Sequence, residues 1–241
     1  MAKLATAVVG SIEQYFKQIW NTPPQPNTHV TLFRGQSDQF QILPKLFRKP
    51  NTPSLVQRVE NRMLETLKST GGYMLPSKPT NDWDWLSLGQ HHGMPTRLTD
   101  WTASPLVALF FAVEVDVSEE TRPVVYHYPI EEELVKIDRL VSPLSIPNSR
   151  VIQPSVHSRR AEVQAAWQLV HAIHKSPKKG WMFVPLESMA PHKDRMTPIH
   201  IDPFQVPSIR RELSTMGIKH STIYGDFEAV CRSIGPAFGI R

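Results

Sequence analysis

Side chains that could bind an anion or transfer a proton are concentrated in two stretches of the chain. The first, HVTLFRGQSD (residues 29–38), is an alternating apolar strand that ends in Arg34 and Gly35. A guanidinium presents a planar set of donors that fits phosphate and carboxylate groups, and glycine lets a backbone approach its neighbour closely. The pair is typical either of a strand-end ion pair beside a turn or of an anion-binding arginine at the edge of a cleft.

The second stretch, LGQHHGMPTRLTDWTASPLVALFFA (residues 88–112), is the densest polar segment of the chain. Ser104 and Pro105 predict the start of a helix, whose free N–H groups and positive dipole end favour an anion. The simpler interpretation is ordinary capping by Ser104, with Asp100 paired to Arg97 or to a backbone amide. Both interpretations remain open for any single residue of the segment.

Two adjacent histidines, His91 and His92, lie in the same segment. An imidazole titrates near neutral pH, so one of them is predicted to donate to a phosphate or to act as a general acid–base, and we assign that role to His92. The ligand spacing of a zinc site is missing, so no metal is expected. A nuclease built on these histidines and Asp100 would have suitable residue types but ranks last for the same reason.

Composition gives weaker indications of function. The 241 residues carry a net charge of +5 (27 basic minus 22 acidic) and a pI near 9.4, which favours phosphate-bearing ligands only slightly. A single cysteine, Cys231, cannot form an internal disulfide and fits a reducing compartment. No apolar run is long enough to span a membrane. A cytoplasmic protein that does not bind membranes is expected.

The order of predicted elements indicates an α+β fold in a single domain, residues 1–241. Residues 1–27 are predicted to form an N-terminal helix and a Pro-rich lead-in, and residues 28–241 the core. Helices are expected to start at Pro53, Asp82, Ser104 and Asp202, with a last short one in GDFEAVCRSI (residues 225–234). Strands are expected at residues 29–33, 95–101, 124–128, 163–173, 180–186 and 197–201.

Four motifs resemble the FRG domain, a family of bacteria and phages named after Phe/Tyr-Arg-Gly. They are FRG (33–35), QHHGMPTRLTDWTASPLVALFFA (90–112), RAEVQ (160–164, with Arg160 and Gln164) and YGDFEAV (224–230). The chain departs from the usual family pattern at Thr99, at Ala165 and Ala166, and at residues 225–228. The resemblance covers nearly the whole chain from residue 30 onward, although the family's activity has largely been unassigned.

The order of these motifs is also remotely similar to that of ADP-ribosyltransferases, which implies a split β-sheet core with flanking helices. In such enzymes an arginine ends the first core strand, a Ser/Thr-rich strand leads into a helix, and a Glu or Gln opens a later strand. The resemblance implies that Arg34 holds a phosphate or ribose of NAD, that Gly35 admits the nicotinamide, and that Gln164 binds a ribose hydroxyl. Further NAD-binding residues would be Thr99, Asp100, Trp101 as a stacking face, Thr102 and Ser104.

Gln164 cannot supply the negative charge of a catalytic carboxylate. Glu162 lies two residues before Gln164. If the strand predicted at 163–173 extends back to Glu162, the two side chains lie on the same face, and Glu162 could provide that charge. A surface ion pair between Glu162 and Arg159 or Arg160 is the ordinary alternative.

Two functions follow from these observations. The first is an enzyme that cleaves the nicotinamide–ribose bond of NAD and modifies an unknown protein or nucleic acid, or hydrolyses NAD. The second is a non-catalytic module that binds a nucleotide or a protein, in a phage, mobile-element, toxin or defence setting. Release of free nicotinamide would separate the two.

Overall fold

A computed structural model describes residues 8–48, 53–155, 159–176, 180–225 and 231. Its helices are α1 (Ile12–Asn21), α2 (Pro53–Thr66), α3 (Asp82–His91), α4 (Pro105–Val113), α5 (Glu132–Val135), α6 (Arg159–Val163), α7 (His192–Arg195), α8 (Val206–Thr215) and α9 (His220–Tyr224). Its strands are β1 (Val8–Val9), β2 (Thr28–Gln36), β3 (Leu98–Thr102), β4 (Val124–Glu131), β5 (Arg150–Ile152), β6 (Ala166–Val170), β7 (His174–Ser176), β8 (Gly180–Met182) and β9 (Thr197–Ile201). The predicted α+β class is confirmed.

Within the described residues, seven strands form one mixed sheet in the order β1-β9-β4-β2-β3-β6-β5, and β7 pairs with β8 separately. Only β1 and β9 run parallel. Strands β2 and β4 are paired from Thr28 to Gln36, whereas β2 and β3 share a single register pair, Phe33 with Thr102. The sheet therefore opens where β2 continues past this pair.

Helices α1, α4 and α8 cover one face of the sheet. Their apolar side chains share a core cluster with Phe33 of β2, Val125 of β4 and Ile199 of β9. Alternate residues of the strands point to the opposite face, where Leu32, Trp101 and other residues form a second cluster. Arg34 and Gln36 follow Leu32 at alternate positions, so β2 carries its polar end on the face opposite α4.

Strand β3 is fixed at its start by a buried ion pair. The side chain of Arg97 is 1% exposed and that of Glu60, on α2, is 0% exposed. The Nη2 and Nε atoms of Arg97 lie 2.8 Å from Glu60 Oε2, and its backbone N–H donates to Oε1 at 3.0 Å. A pairing of Asp100 with Arg97 is thereby excluded, because Arg97 is committed to Glu60.

Most predicted elements are confirmed, including the helices from Pro53 and Pro105 and the strand at 197–201. A continuous strand over 163–173 is wrong, because α6 ends at Val163 and β6 begins at Ala166. The bend between them places Ala165 in the left-handed region, with φ of 43°. The strand predicted at 180–186 is limited to Gly180–Met182, and most of the helix predicted at 225–234 lies outside the described residues. No helix in the described ranges is long and apolar enough to cross a membrane.

From the burial of His127 and His192 we predict that the folded protein loses stability in mild acid. Burial lowers the pKa of His127 to about 4 and also that of His192, which lies against the Tyr128 hydroxyl, to about 4. Between pH 6.5 and 4 the unfolded chain therefore binds one more proton per histidine than the folded chain. The free energy of unfolding should fall by about 1.4 kcal/mol per pH unit for each as the pH drops through this range.

Urea unfolding of a His127→Phe variant between pH 7 and pH 4.5 checks this prediction. The dependence of the unfolding free energy on pH should become shallower by about 1.4 kcal/mol per unit. A Leu140→Ala variant, which changes an exposed side chain that does not titrate, should leave the dependence unchanged. Identical slopes for His127→Phe and the unmodified chain would contradict it.

Candidate functional site

A cleft of about 410 Å³ lies where β2 and β3 separate. Its lining comes from segments far apart in the sequence: the end of β2, the end of α3, β3, the end of α4, α6 and the start of β6. Of the residues predicted for the site, the cleft is lined by Arg34, Gly35, Asp100, Trp101, Thr102 and Gln164. Residues of the FRG motif (33–35), the motif at 90–112 and the RAEVQ motif (160–164) therefore line one cavity.

Arg34 is half-buried on the cleft wall. Its Nη1 donates to the backbone carbonyl of Asp100 at 2.5 Å, which connects the ends of β2 and β3 across the opening. Its Nε is buried and has no hydrogen-bond partner among the described residues. Burial lowers the pKa of Arg34, and the negative charge of Asp100 partly offsets this decrease. An anion placed at the free Nε would relieve this cost of desolvation.

Two glutamines that the sequence did not single out line the same cleft. Gln36 and Gln168 are 7% and 6% exposed, and the side-chain Oε1 of each is buried without a hydrogen-bond partner in the described part of the chain. Buried polar atoms in folded proteins are nearly always paired. With Arg34 Nε, the residues that line the cleft thus carry one unpaired donor and two unpaired acceptors among the described residues.

Gly35 has a packing role that the sequence did not reveal. A Cβ atom at this position would lie 1.8 Å from the Ala108 carbonyl oxygen and 2.7 Å from the Ala112 nitrogen, both in the backbone of α4. The close approach of β2 to α4 therefore requires glycine. The predicted approach of a nicotinamide to Gly35 stays a prediction.

The hydroxyl groups of the second motif mainly hold the backbone. Thr102 Oγ1 donates to the Gln164 carbonyl at 2.6 Å and accepts from the Ser104 N–H at 2.9 Å. Ser104 Oγ caps α4 by accepting from the Val107 N–H at 3.4 Å and does not line the cleft, as the capping interpretation predicted. Thr99 is buried, and its Oγ1 lies 2.9 Å from His171 Nε2 and accepts a hydrogen bond from Trp101 Nε1 at 3.1 Å. Thr99 lines an adjoining cavity and not the cleft.

Trp101 does not offer the expected stacking face. Its side chain is 3% exposed and packs against Tyr128 of β4, with ring centroids 5.5 Å apart. Among the aromatic side chains that line the cleft, Phe40 is the most exposed, at 56%. No spacing signal in the sequence distinguished Phe40 from an ordinary loop residue.

Gln164 lies in the cleft, but Glu162 does not. Glu162 belongs to helix α6, and Gln164 directly follows this helix. Glu162 is exposed and does not line the cleft, so the prediction that the two residues share one face of a strand is wrong. The Gln164 side-chain amide donates to the Ile223 carbonyl at 3.2 Å. This bond joins the end of α6 to α9, a helix that the sequence analysis did not predict.

Glu114, at the end of α4, is the half-buried carboxylate of the cleft. Its Oε2 accepts from the Tyr224 hydroxyl at 3.0 Å, and the Arg160 guanidinium lies 4.7 Å from the Tyr224 ring centroid. Burial raises the pKa of Glu114, opposed by this hydrogen bond and by nearby positive charges including Arg160. The sequence missed Glu114 because it ends an apolar helix and gains its partner from 110 residues away.

The histidine that lines the cleft is His91, not His92. Both are exposed, and His92 lies outside the lining. Partial burial lowers the pKa of His91, and the charges of His92 and Arg160 lower it to a smaller extent. The Asp100 carboxylate acts in the opposite direction and raises the pKa. Of the pair, His91 has the better position to contact a ligand.

Comparison with known proteins agrees with the motifs. A family model described as the FRG domain matches residues 29–121. Over this segment the chain is similar to the FRG domain family. The FRG match includes every cleft residue from Arg34 to Glu114, whereas Arg160, Gln164 and Tyr224 lie beyond it. No curated protein and no solved structure matches the chain.

Proposed function

We propose that the cleft of this FRG domain binds NAD, cleaves its nicotinamide–ribose bond and transfers ADP-ribose to a macromolecule. The observation that carries the proposal is the set of three unpaired polar atoms on residues that line one cleft: Arg34 Nε, Gln36 Oε1 and Gln168 Oε1. A ligand that satisfies them must combine an anionic acceptor with neutral donors. NAD has this combination, since its pyrophosphate accepts and its ribose hydroxyls and carboxamide donate.

The course of the sheet supports an ADP-ribosyltransferase-like core. Strands β2 and β3 share one register pair and then separate, and the cleft occupies the gap. The arginine, the strand leading into a helix and the later glutamine occur in the order that the remote resemblance implies. In this arrangement Arg34 would hold a phosphate, and Phe40 would provide an aromatic surface at the rim.

Glu114 would supply the negative charge that Gln164 lacks. When the bond to nicotinamide breaks, its electron pair leaves with the nicotinamide, and positive charge develops on the ribose. A carboxylate in a partly dry cleft stabilises such a charge strongly. The raised pKa of Glu114 also suits a base that takes the proton of the attacking acceptor.

A non-catalytic nucleotide-binding module is the second candidate. Gln164 favours it, because the residue in the position of a catalytic carboxylate is an amide whose nitrogen is occupied by the Ile223 carbonyl. In that case the cleft would bind NAD or a related nucleotide and leave it unchanged.

Incubation with NAD, followed by mass spectrometry of free nicotinamide, tests the proposal. We expect a Glu114→Gln variant to bind NAD but to release nicotinamide about 100-fold more slowly than the unmodified chain. Glu162→Gln changes an exposed carboxylate of the nearby helix α6 and is the matched control, with a rate within about twofold of unmodified.

The outcomes separate the two candidates. NAD that binds but stays intact, with protein and cell extract present as acceptors, would exclude the enzyme and favour the binding module. Equal loss of activity in Glu114→Gln and Glu162→Gln would contradict the role of Glu114 while leaving NAD cleavage standing.

A further inference from the structure

A second cavity of about 290 Å³ adjoins the cleft and shares Arg34, Arg48, Gln90 and Asp100 with it. Its remaining lining comes from the turn around Lys45 and from residues 93–99. Arg34 and its bond to the Asp100 carbonyl lie at the boundary, so one ligand or two neighbouring ligands could contact both spaces. Of its lining residues, only Arg34 has a role in the NAD-cleaving function proposed above.

The adjoining cavity is lined by three cations, Arg34, Lys45 and Arg48. Among the described residues, none of these three cations has a carboxylate within ion-pair distance. In contrast, Arg97 forms an ion pair with Glu60, and Arg195 forms one with Glu131. The one carboxylate in the lining, Asp100, accepts a hydrogen bond from Gln90 at 2.6 Å. The positive charges of this cavity are therefore largely uncompensated.

A rigid turn presents Lys45 and Arg48. Lys45 is the first residue of the 3-10 helix Lys45–Phe47, and Arg48 directly follows this helix. Phe47 is 4% exposed and stacked on Phe183, with ring centroids 4.1 Å apart. Arg48 Nε donates to the Leu43 carbonyl at 3.0 Å, which limits the positions of its guanidinium. The charge of Arg48 also lowers the pKa of Arg34, so the two cations repel each other.

We infer that the adjoining cavity is a phosphate-binding subsite formed by Arg34, Lys45 and Arg48. Two guanidinium groups and an ammonium, with the Asp100 carboxylate as the one acidic group in the lining, match the oxygens of a phosphate, which accepts several charge-assisted hydrogen bonds. The phosphate could belong to a dinucleotide whose other end lies in the cleft, or to the phosphodiester backbone of a nucleic-acid acceptor. Both sources share the chemistry that the subsite recognises.

Calorimetric titration with inorganic pyrophosphate at fixed ionic strength tests the subsite. A double variant, Lys45→Gln with Arg48→Gln, should bind pyrophosphate at least about tenfold more weakly than the unmodified chain. The matched control, Lys193→Gln with Arg211→Gln, removes the same charge from exposed positions that line neither cavity. Its affinity should stay within about twofold of the unmodified value. Thermal unfolding of both double variants confirms that each is folded.

Equal weakening in the two double variants, or no binding of millimolar pyrophosphate by the unmodified chain, would overturn the inference. Competition then identifies the source of the phosphate. Displacement of pyrophosphate by ADP-ribose alone supports a dinucleotide, displacement by a single-stranded oligonucleotide supports a nucleic-acid acceptor, and displacement by neither contradicts a substrate subsite. Because this titration uses no NAD, a chain that binds pyrophosphate but releases no nicotinamide would refute the proposed enzyme and retain the subsite.

Discussion

Replacement of Glu60 by alanine is expected to lower the free energy of unfolding by about 3–5 kcal/mol, a large part of the stability of an ordinary domain. The variant leaves the Arg97 guanidinium, 1% exposed, without its counter-charge. Among the described residues, the backbone carbonyls of Pro143 and Leu144, 3.5 and 3.3 Å from Nη1, would be the hydrogen-bond acceptors left to the Arg97 guanidinium. Because Arg97 immediately precedes β3, the loss should reach the cleft as well as the core.

Urea unfolding followed by circular dichroism measures this effect. Glu65→Ala, on the same helix, removes an exposed carboxylate that pairs with Lys68 at 3.0 Å, and should cost less than about 1 kcal/mol. A double variant, Glu60→Leu with Arg97→Met, removes both charges and should recover most of the stability lost in Glu60→Ala. A loss below about 1 kcal/mol in Glu60→Ala would show that the pair is not the buried anchor described here.

Replacement of Gly35 by alanine is expected to destabilise the fold by about 3 kcal/mol or more, at the upper end of the usual cost of overpacking. The added Cβ would lie 1.8 Å from the Ala108 carbonyl oxygen. That atom belongs to a helix backbone packed against the sheet, so it cannot move aside as a flexible side chain could. The strand and α4 would have to separate, which would also change the cleft wall.

Gly72→Ala is the matched control for this prediction. Gly72 has helical dihedral angles (φ −61°, ψ −28°), and a Cβ there would meet its nearest atom at 3.4 Å. Its stability should change by no more than about 1 kcal/mol in urea unfolding. If Gly35→Ala proved as stable as Gly72→Ala, the close approach of β2 to α4 would not be a constraint, and the glycine would have to be explained by a ligand.

The sequence predicted the part of the site that its motifs encode. Arg34, Gly35, Asp100, Thr102 and Gln164 meet in one cleft, and their order along the chain was sufficient to suggest this. The burial of the Trp101 ring could not be predicted in this way, because the ring packs against Tyr128 of a different strand, β4.

Other features of the site depend on contacts that no local pattern reveals. Glu114 becomes a cleft residue through α9, whose Tyr224 donates to it. The misplacement of Glu162 has a similar origin, because the chain turns at Ala165 with φ of 43°, a conformation that alanine rarely adopts and that no propensity predicts. Gln36 and Gln168 were also unpredictable, since their significance lies in unpaired amide oxygens.

The central claim is that the cleft between β2 and β3 binds NAD through Arg34. Its most direct test is a calorimetric titration of NAD into the unmodified chain and into an Arg34→Ala variant, with thermal unfolding to show that the variant is folded. Saturable binding by the unmodified chain and an affinity at least about tenfold lower in Arg34→Ala would agree with the claim. Absence of NAD binding by the unmodified chain, or equal affinities of two folded proteins, would contradict it.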